Sequence, residues 1–391
     1  MLIALLVFLV WRFIRPINIF VVDDRFAWPV DTSQAPVVLG KLSAKECAVC
    51  HQEFYKEWQT TIHSKAWTEP YFQADWKFDG RQHSCRLCHT PLDRQQPDKV
   101  LGYRDTDKWD PILENNPDFD PKLQHEGVTC AACHYRDGKI VGIIGNTNAP
   151  HPTKKLNDPN QVCVRCHIVK GDKWDTFFKL PPCGTVAEIK NTAAQKTKSH
   201  SGEMLSKTDS PASLGCVQCH MPLLKRELVK GGKVRDTRQH LWRGGHDPEM
   251  VKKSLTIKFN EIEDNKSRIF SLSIENTGAT HYVPTGTPDR HLTVQLRVLD
   301  KNDNVVNENI NIIRRHVMWR PFIVDLKDTR LPRGQPRSYE LEVSKLKKAV
   351  SVEAIVRYHL LDEKRRQRIA YKNKKPIAYN VFRKKITLDM K

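Results

Sequence analysis

Long apolar runs are scarce in this chain of 391 residues. The longest opens it, MLIALLVFLV, and Trp11 and Arg12 interrupt it after ten residues. A spanning helix needs about 20 apolar residues, so no confident transmembrane span is legible. The same segment has no basic leader and no small-residue cleavage site of the A-x-A kind, so it is not an ordinary signal peptide. Residues 1–20 are read as an uncleaved membrane anchor, or else as a signal of unusual form. Arg12 and Arg15 run against the positive-inside tendency if the following chain is exported. Acidic residues are also short: 45 Asp and Glu face 64 Lys and Arg, a formal charge of +19. That balance suits an acidic protein partner or an anionic membrane face. Mean hydropathy is low, at −0.56. Cysteine is missing from the whole stretch after Cys219, although eleven cysteines precede it.

Ten of those eleven fall into one pattern. Cys47/Cys50/His51, Cys85/Cys88/His89, Cys130/Cys133/His134, Cys163/Cys166/His167 and Cys216/Cys219/His220 all read C-x-x-C-H. That is the spacing at which two thiols add to one haem and the next histidine takes the iron as proximal ligand. A zinc ribbon uses paired C-x-x-C but needs no trailing histidine, and neither does a disulfide framework. With 16 His in the chain, five trailing histidines by accident have odds of about one in ten million on composition. Five covalently bound c-type haems (haem c, iron) are therefore expected, and zinc and disulfides remain the alternatives. Covalent haem attachment takes place outside the cytoplasm, which makes nucleic acid the weaker partner for the basic charge.

The first cysteines are 38, 45, 33 and 53 residues apart, so the motifs form no strict repeat. About 40 residues per motif leave little room for a side-chain core. The fold expected is mixed: a haem-packed, mostly α/loop multihaem cytochrome domain followed by an all-β, Ig-like sandwich. The boundaries read are 1–20 for the anchor or signal, 21–42 for an extended linker, 43–250 for the pentahaem domain and 251–391 for the sandwich with a basic tail. Within the first, Phe54, Trp58 and Ile62 form a helical stripe over 53–67, and Asp247-Pro248 opens a helix. Within the second, alternation at Leu255–Phe259, Phe270–Ile274, Leu292–Val298, Tyr339–Val343 and Val350–Val356 predicts about seven strands. The basic tail (364–368, 372–375 and 383–385) is read as solvated strand faces and loops, or as a docking patch.

A haem iron closed by a second histidine suits electron transfer, whereas an open one allows chemistry. Eleven histidines remain after the five proximal ones, and five are needed. Those chosen as distal ligands are His63, His151, His200, His240 and His281. His246 rivals His240 across a Gly pair. His83 and His125 are read as surface residues or propionate partners, and His291, His316 and His359 as structural. Met221 cannot reach the iron of its neighbour His220 from the opposite side. Cys183 is read as a semi-buried free thiol.

CAVCHQEFYKEWQTTIHSKAW (47–67) resembles the opening motif of the cytochrome c-554-like multihaem cytochromes. GVTCAACH and LGCVQCHMP resemble the middle and last motifs of that group and of its hydroxylamine-oxidoreductase relatives. RQHLWRGGHDPEMVKKSL, THYVPTGTPDRHLTVQLRVLD and DTRLPRGQPRSYEL resemble the β domain attached to many of them. The likeness spans roughly residues 43–345. It implies that His63, His200, His240 and His281 are distal ligands. ATHYVPTG, where Gly-His is commoner, and the short N-terminus depart from the pattern. The function expected is electron relay between periplasmic or membrane redox partners: cytochromes, or a membrane quinol-oxidising complex, with docking through the β domain. The alternative is an enzyme with one open haem acting on small nitrogen or sulfur compounds. No motif has the proximal Lys of related nitrite reductases, and six histidines are surplus to closing every iron.

Overall fold

The computed structural model describes residues 1–14, 21–106, 108–145, 147–170, 172–173, 176–178, 180–181, 183–199, 215–264, 267–344, 346 and 348–388. The chain divides into two compact units, residues 1–171 with 206–243, and residues 172–205 with 244–391.

The first unit is built from short helices and small sheets. Each C-x-x-C-H motif lies in or at the end of a helical turn: Ala44–Ala48, His83–His89, Cys130–His134, Gln161–His167 and Cys216–His220. Two-stranded antiparallel pairs join Asp98–Tyr103 to Pro111–Asn115 and Leu223–Glu227 to Val234–Arg238. A small three-stranded sheet holds Tyr135–Arg136, Lys139–Gly142 and Thr153–Lys155. Buried side chains form one small cluster around Leu42, Leu92, Leu123 and Tyr135. Residues 24–42 are pinned to it: Val30 bridges Leu92, and Thr32 donates its backbone N–H to Asp93 Oδ2 at 2.8 Å.

Among its described residues the second unit has three sheets: a mixed one ordering Arg315–Met318, Ile323–Asp328, Thr176–Phe177 and Asp172–Lys173, and two antiparallel ones around one apolar core. The first of these two holds Leu255–Asp264, Ser267–Asn276 and Arg337–Glu342. The second orders Val305–Ile313, His291–Leu299, Ser351–His359 and Ala378–Thr387. Strict alternation sends Phe270, Leu272 and Ile274 from one sheet and Leu292, Val294 and Leu296 from the other into the same core. Full burial of such side chains stabilises by about 1.5–3 kcal/mol each.

Two expectations need correction. The division into a mostly α/loop haem-packed domain and an all-β Ig-like sandwich does not describe this chain. Strands run through the first unit, in runs of two to six residues too short for alternation to register. The second unit carries the helices Thr185–Ser199, Pro248–Ser254 and Glu363–Arg368 beside its sheets. Aspartates at 247 and 362 cap the last two, accepting backbone N–H bonds from Met250 and from Lys364 and Arg365. The helix expected over 53–67 stops at Gln59, and a separate 3-10 turn covers His63–Lys65. The hydroxyls of Thr60 and Thr61 donate to the carbonyls of Glu57 and Trp58 and compete with helix continuation. Ile62 is accordingly exposed, while Trp58 is buried.

The helix Leu2–Ile14 has 13 residues, about 20 Å at 1.5 Å per residue. Among the described residues no helix is long and apolar enough to cross a membrane.

A buried ion network lies inside the second unit. Arg330 pairs with Glu188 at 2.5 Å and with Asp328 at 2.7 Å, and the Arg330 and Glu188 side chains are 3% and 1% exposed. Burial works against the Arg330 charge, but the two carboxylates outweigh it and raise its pKa. Glu188→Ala is expected to cost about 3 kcal/mol by leaving a buried guanidinium short of a partner; urea unfolding of the full chain checks this. The paired strand ends His291 and His359 stack their rings at 4.2 Å. Burial, with His291 alongside, lowers the His359 pKa to about 4, and burial lowers that of His291. An unfolded histidine titrates near 6.5, so below that pH the unfolded chain takes up protons that the fold refuses. The stability these rings contribute is whole above about pH 6.5 and is lost as pH falls toward 4. Hydrogen-exchange protection of His291–Leu299 is therefore expected to fall between pH 7 and 5, and to do so less in the His291→Asn/His359→Asn double variant.

Candidate functional site

Within a helical turn, residues at i, i+3 and i+4 share one face. Both thiols and the imidazole of a C-x-x-C-H motif therefore point to the same side. In the first motif the backbone N–H groups of Cys50 and His51 both donate to the Cys47 carbonyl, at 3.3 and 2.9 Å.

In four motifs the Nδ1 of the histidine is held by a backbone carbonyl. His51 bonds Leu228 O at 3.0 Å, His89 bonds Ala66 O at 2.6 Å, His134 bonds Val141 O at 2.8 Å and His220 bonds Arg243 O at 2.6 Å. A carbonyl can only accept, so the proton sits on Nδ1 and the lone pair on Nε2. That is how second-shell bonds prepare an imidazole for a metal.

The motifs adjoin one another in an order that is not their chain order. The helix Ala44–Ala48 packs on Cys130–His134, which packs on Gln161–His167, which packs on His83–His89. Sulfurs of different motifs lie side by side: Cys47 with Cys130, Cys88 with Cys166, and Cys163 with Cys216. The fifth motif is tied to the fourth by the Val217 N–H, which donates to Asn160 Oδ1 at 3.1 Å. The fourth motif is thus the hub of the set.

Among the expected distal histidines, His240 has the clearest geometry. Its ring centroid lies 5.9 Å from that of His134, and the planes differ by 25°. Its Nδ1 is bonded to Arg238 O at 3.0 Å, so its Nε2 is also the nitrogen left for a metal. Two metal–nitrogen bonds of about 2 Å each between two imidazoles place their centroids about 6 Å apart. Glu57 Oε2 accepts the His240 backbone N–H at 2.8 Å. Arg226 clamps the same carboxylate through two bonds of 2.6 and 2.9 Å and lies over the Phe54 ring. Burial pushes the Glu57 pKa up, but Arg226 and the His240 N–H overcome it, and the net shift is down. Burial, then His134, lowers the His240 pKa to about 4.

His63 is half-buried in its 3-10 turn, beside Trp242 at 4.9 Å. Burial lowers its pKa to about 4, with further lowering from His167, His220 and His89, the histidines of three motifs. Gly127 lets this turn approach closely: a Cβ there would sit 2.8 Å from His63 O, and its φ is +62°.

For the remaining choices the described geometry is local. His151 is partly exposed, with Nδ1 3.4 Å from the Pro152 carbonyl. His281 belongs to the second unit, its Nδ1 2.8 Å from Tyr282 O. His200 lies outside the described residues. His125 is exposed and bonds Pro121 O, and His246 is exposed too. Cys183, in the second unit, has φ +56° and donates its N–H to Gly286 O at 3.4 Å.

Sequence reasoning missed three features. The Glu57–Arg226 clamp joins residues 169 apart. Asn160 is buried and links two motifs. His83 is not a surface residue: it is 6% exposed, and neither ring nitrogen has a partner. No periodicity marks any of them.

Among the described residues no disulfide is formed, and no group of three or more His, Cys, Asp or Glu gathers as a metal ion would need. The donor set instead suits a group that attaches to two thiols of a turn and takes an axial imidazole. No family model matches the chain, and no curated protein does. Among solved structures it is similar to a penta-haem cytochrome c552 from Thermochromatium tepidum, with a TM-score of 0.62 and 19% identity, covering 89% of this chain and 99% of that one. The two share a fold.

Glu57→Ala is expected to destabilise the chain by about 3 kcal/mol, because Arg226 is left half-buried without its carboxylate. Denaturant unfolding measures this, and Glu57→Gln should lose less.

Proposed function

We propose that this chain is an exported pentahaem c-type cytochrome, akin to the cytochrome c-554-like group, that relays electrons between other redox proteins. The observation that carries the reading is the His134–His240 pair, two near-parallel imidazoles 5.9 Å apart with both Nδ1 atoms committed to carbonyls. Cys47, Cys50, Cys85, Cys88, Cys130, Cys133, Cys163, Cys166, Cys216 and Cys219 would hold five haems as thioethers. His51, His89, His134, His167 and His220 would be the proximal ligands. When bound, the haem supplies one-electron redox chemistry at iron.

The chain's own residues do the rest. The carbonyls of Leu228, Ala66, Val141 and Arg243 hold the proximal rings in one tautomer and one orientation. A ring held in one orientation would need little rearrangement between oxidation states, which would favour transfer over binding of substrate. The adjoining motifs keep the attachment points close, with the fourth as the junction. His240, beside the His134 ring, and His63, within the electrostatic reach of His167, His220 and His89, would be distal ligands. The excess of Lys and Arg favours an acidic redox partner, another cytochrome or a membrane quinol-oxidising complex.

His240→Ala is expected to convert one low-spin iron of the purified ferric protein to high-spin by electron paramagnetic resonance. An unchanged spectrum would remove the pairing. A high-spin signal in the unmodified protein that shifts with nitrite or cyanide would instead favour an enzyme with an open iron.

A further inference from the structure

We propose that His83 is an axial ligand to the iron of a motif other than its own. The inference rests on the pentahaem reading and adds a ligand to it. His83 stands first on the helix His83–His89, is 6% exposed, and leaves both Nδ1 and Nε2 without a hydrogen-bond partner. A buried polar atom without a partner is costly, so such a ring persists where something else satisfies it. The other well-placed rings of this unit behave differently: His89, His134, His220 and His240 each bond a carbonyl through Nδ1.

The neighbouring unpaired atoms say what is missing. Ser84 Oγ and Arg86 Nε, on the same helix, are buried and unpartnered as well. Arg86 Nε and the N–H of the His83 ring are donors, and the Ser84 hydroxyl can donate as well as accept. A carboxylate alone would answer those donors and leave the imidazole lone pair unmet. Haem brings both kinds of partner: an iron for the lone pair and propionates for the donors. Its own motif is excluded. His83 and His89 are six residues apart on one rigid helix, about 9 Å along its axis, so they cannot approach one iron from opposite faces. The helix packs on Gln161–His167, so other motifs are within its surroundings.

The test uses the full haem-loaded chain with His83→Gly. Haem content by the pyridine haemochromogen assay should stay at the five of the unmodified protein. The ferric resonance spectrum should show one iron moved from low-spin to high-spin, and added imidazole should return it. Five low-spin irons in the variant overturn the proposal, including the case where only a reduction potential moves, which is the signature of a propionate partner. If the glycine variant does not accumulate, His83→Met decides. A thioether in place of the imidazole keeps the iron low-spin and raises one reduction potential, and an unchanged set of potentials overturns the proposal. An unmodified protein with fewer than five haems would instead fail the pentahaem reading itself, before any variant is compared.

Discussion

The bond from a motif histidine's Nδ1–H to a carbonyl remote in sequence is the constraint on which the first unit depends. It decides which nitrogen carries the lone pair, and it can form only when another part of the chain is in place. For His51 that part is Leu228, 177 residues away. For His220 it is Arg243, and for His89 it is Ala66, at the end of the turn that carries His63. Ligand geometry and tertiary fold are therefore the same problem. The hairpin Leu223–Glu227/Val234–Arg238 concentrates this: it starts just after His220, and its turn and end supply Leu228 O and Arg238 O. His240 follows it directly, and its Arg226 clamps Glu57 beside that histidine. One hairpin thus serves the first, third and fifth motifs.

Arrangement in space follows from the same contacts. Motifs 33 to 83 residues apart in sequence are adjacent in the fold, and the fourth touches the second, third and fifth. A branched junction of this kind differs from a linear array. It would let one attachment point exchange electrons with several others, provided that five haems are bound. The second unit is organised on a different principle, with two sheets around an aliphatic core and a buried Glu188–Arg330–Asp328 network.

Legibility followed the range of the interaction concerned. The C-x-x-C-H motifs need only five consecutive residues, and the strands of the second unit need only alternation, so both could be read directly. The five alternating runs each fall on a strand, with Val343 and Val350 just beyond the strand ends, whereas Val305–Ile313 escaped notice because four of its apolar residues, Val305, Val306, Ile310 and Ile312, are exposed at a sheet edge. The helix stripe from Phe54 to Ile62 misled, because two threonine hydroxyls end the helix before the stripe does. Small strands in the first unit and the six-residue helix Glu363–Arg368 in the second were invisible for lack of length, whereas Pro248–Ser254 was read from its Asp-Pro start. The surface reading of His83 failed because burial is a tertiary property, and nothing within a few residues of it shows that its ring is enclosed. His240 could be chosen over His246 only by position; its ring's relation to His134 depends on Glu57, nearly two hundred residues earlier.

The central claim is that five turns of this chain each carry a covalently bound haem, with the histidine of the turn committed to iron through Nε2. Intact mass of the purified, exported protein tests it most directly. The account predicts the mass of the processed chain plus five porphyrins, in a red protein. A colourless product at the mass of the bare chain would contradict it.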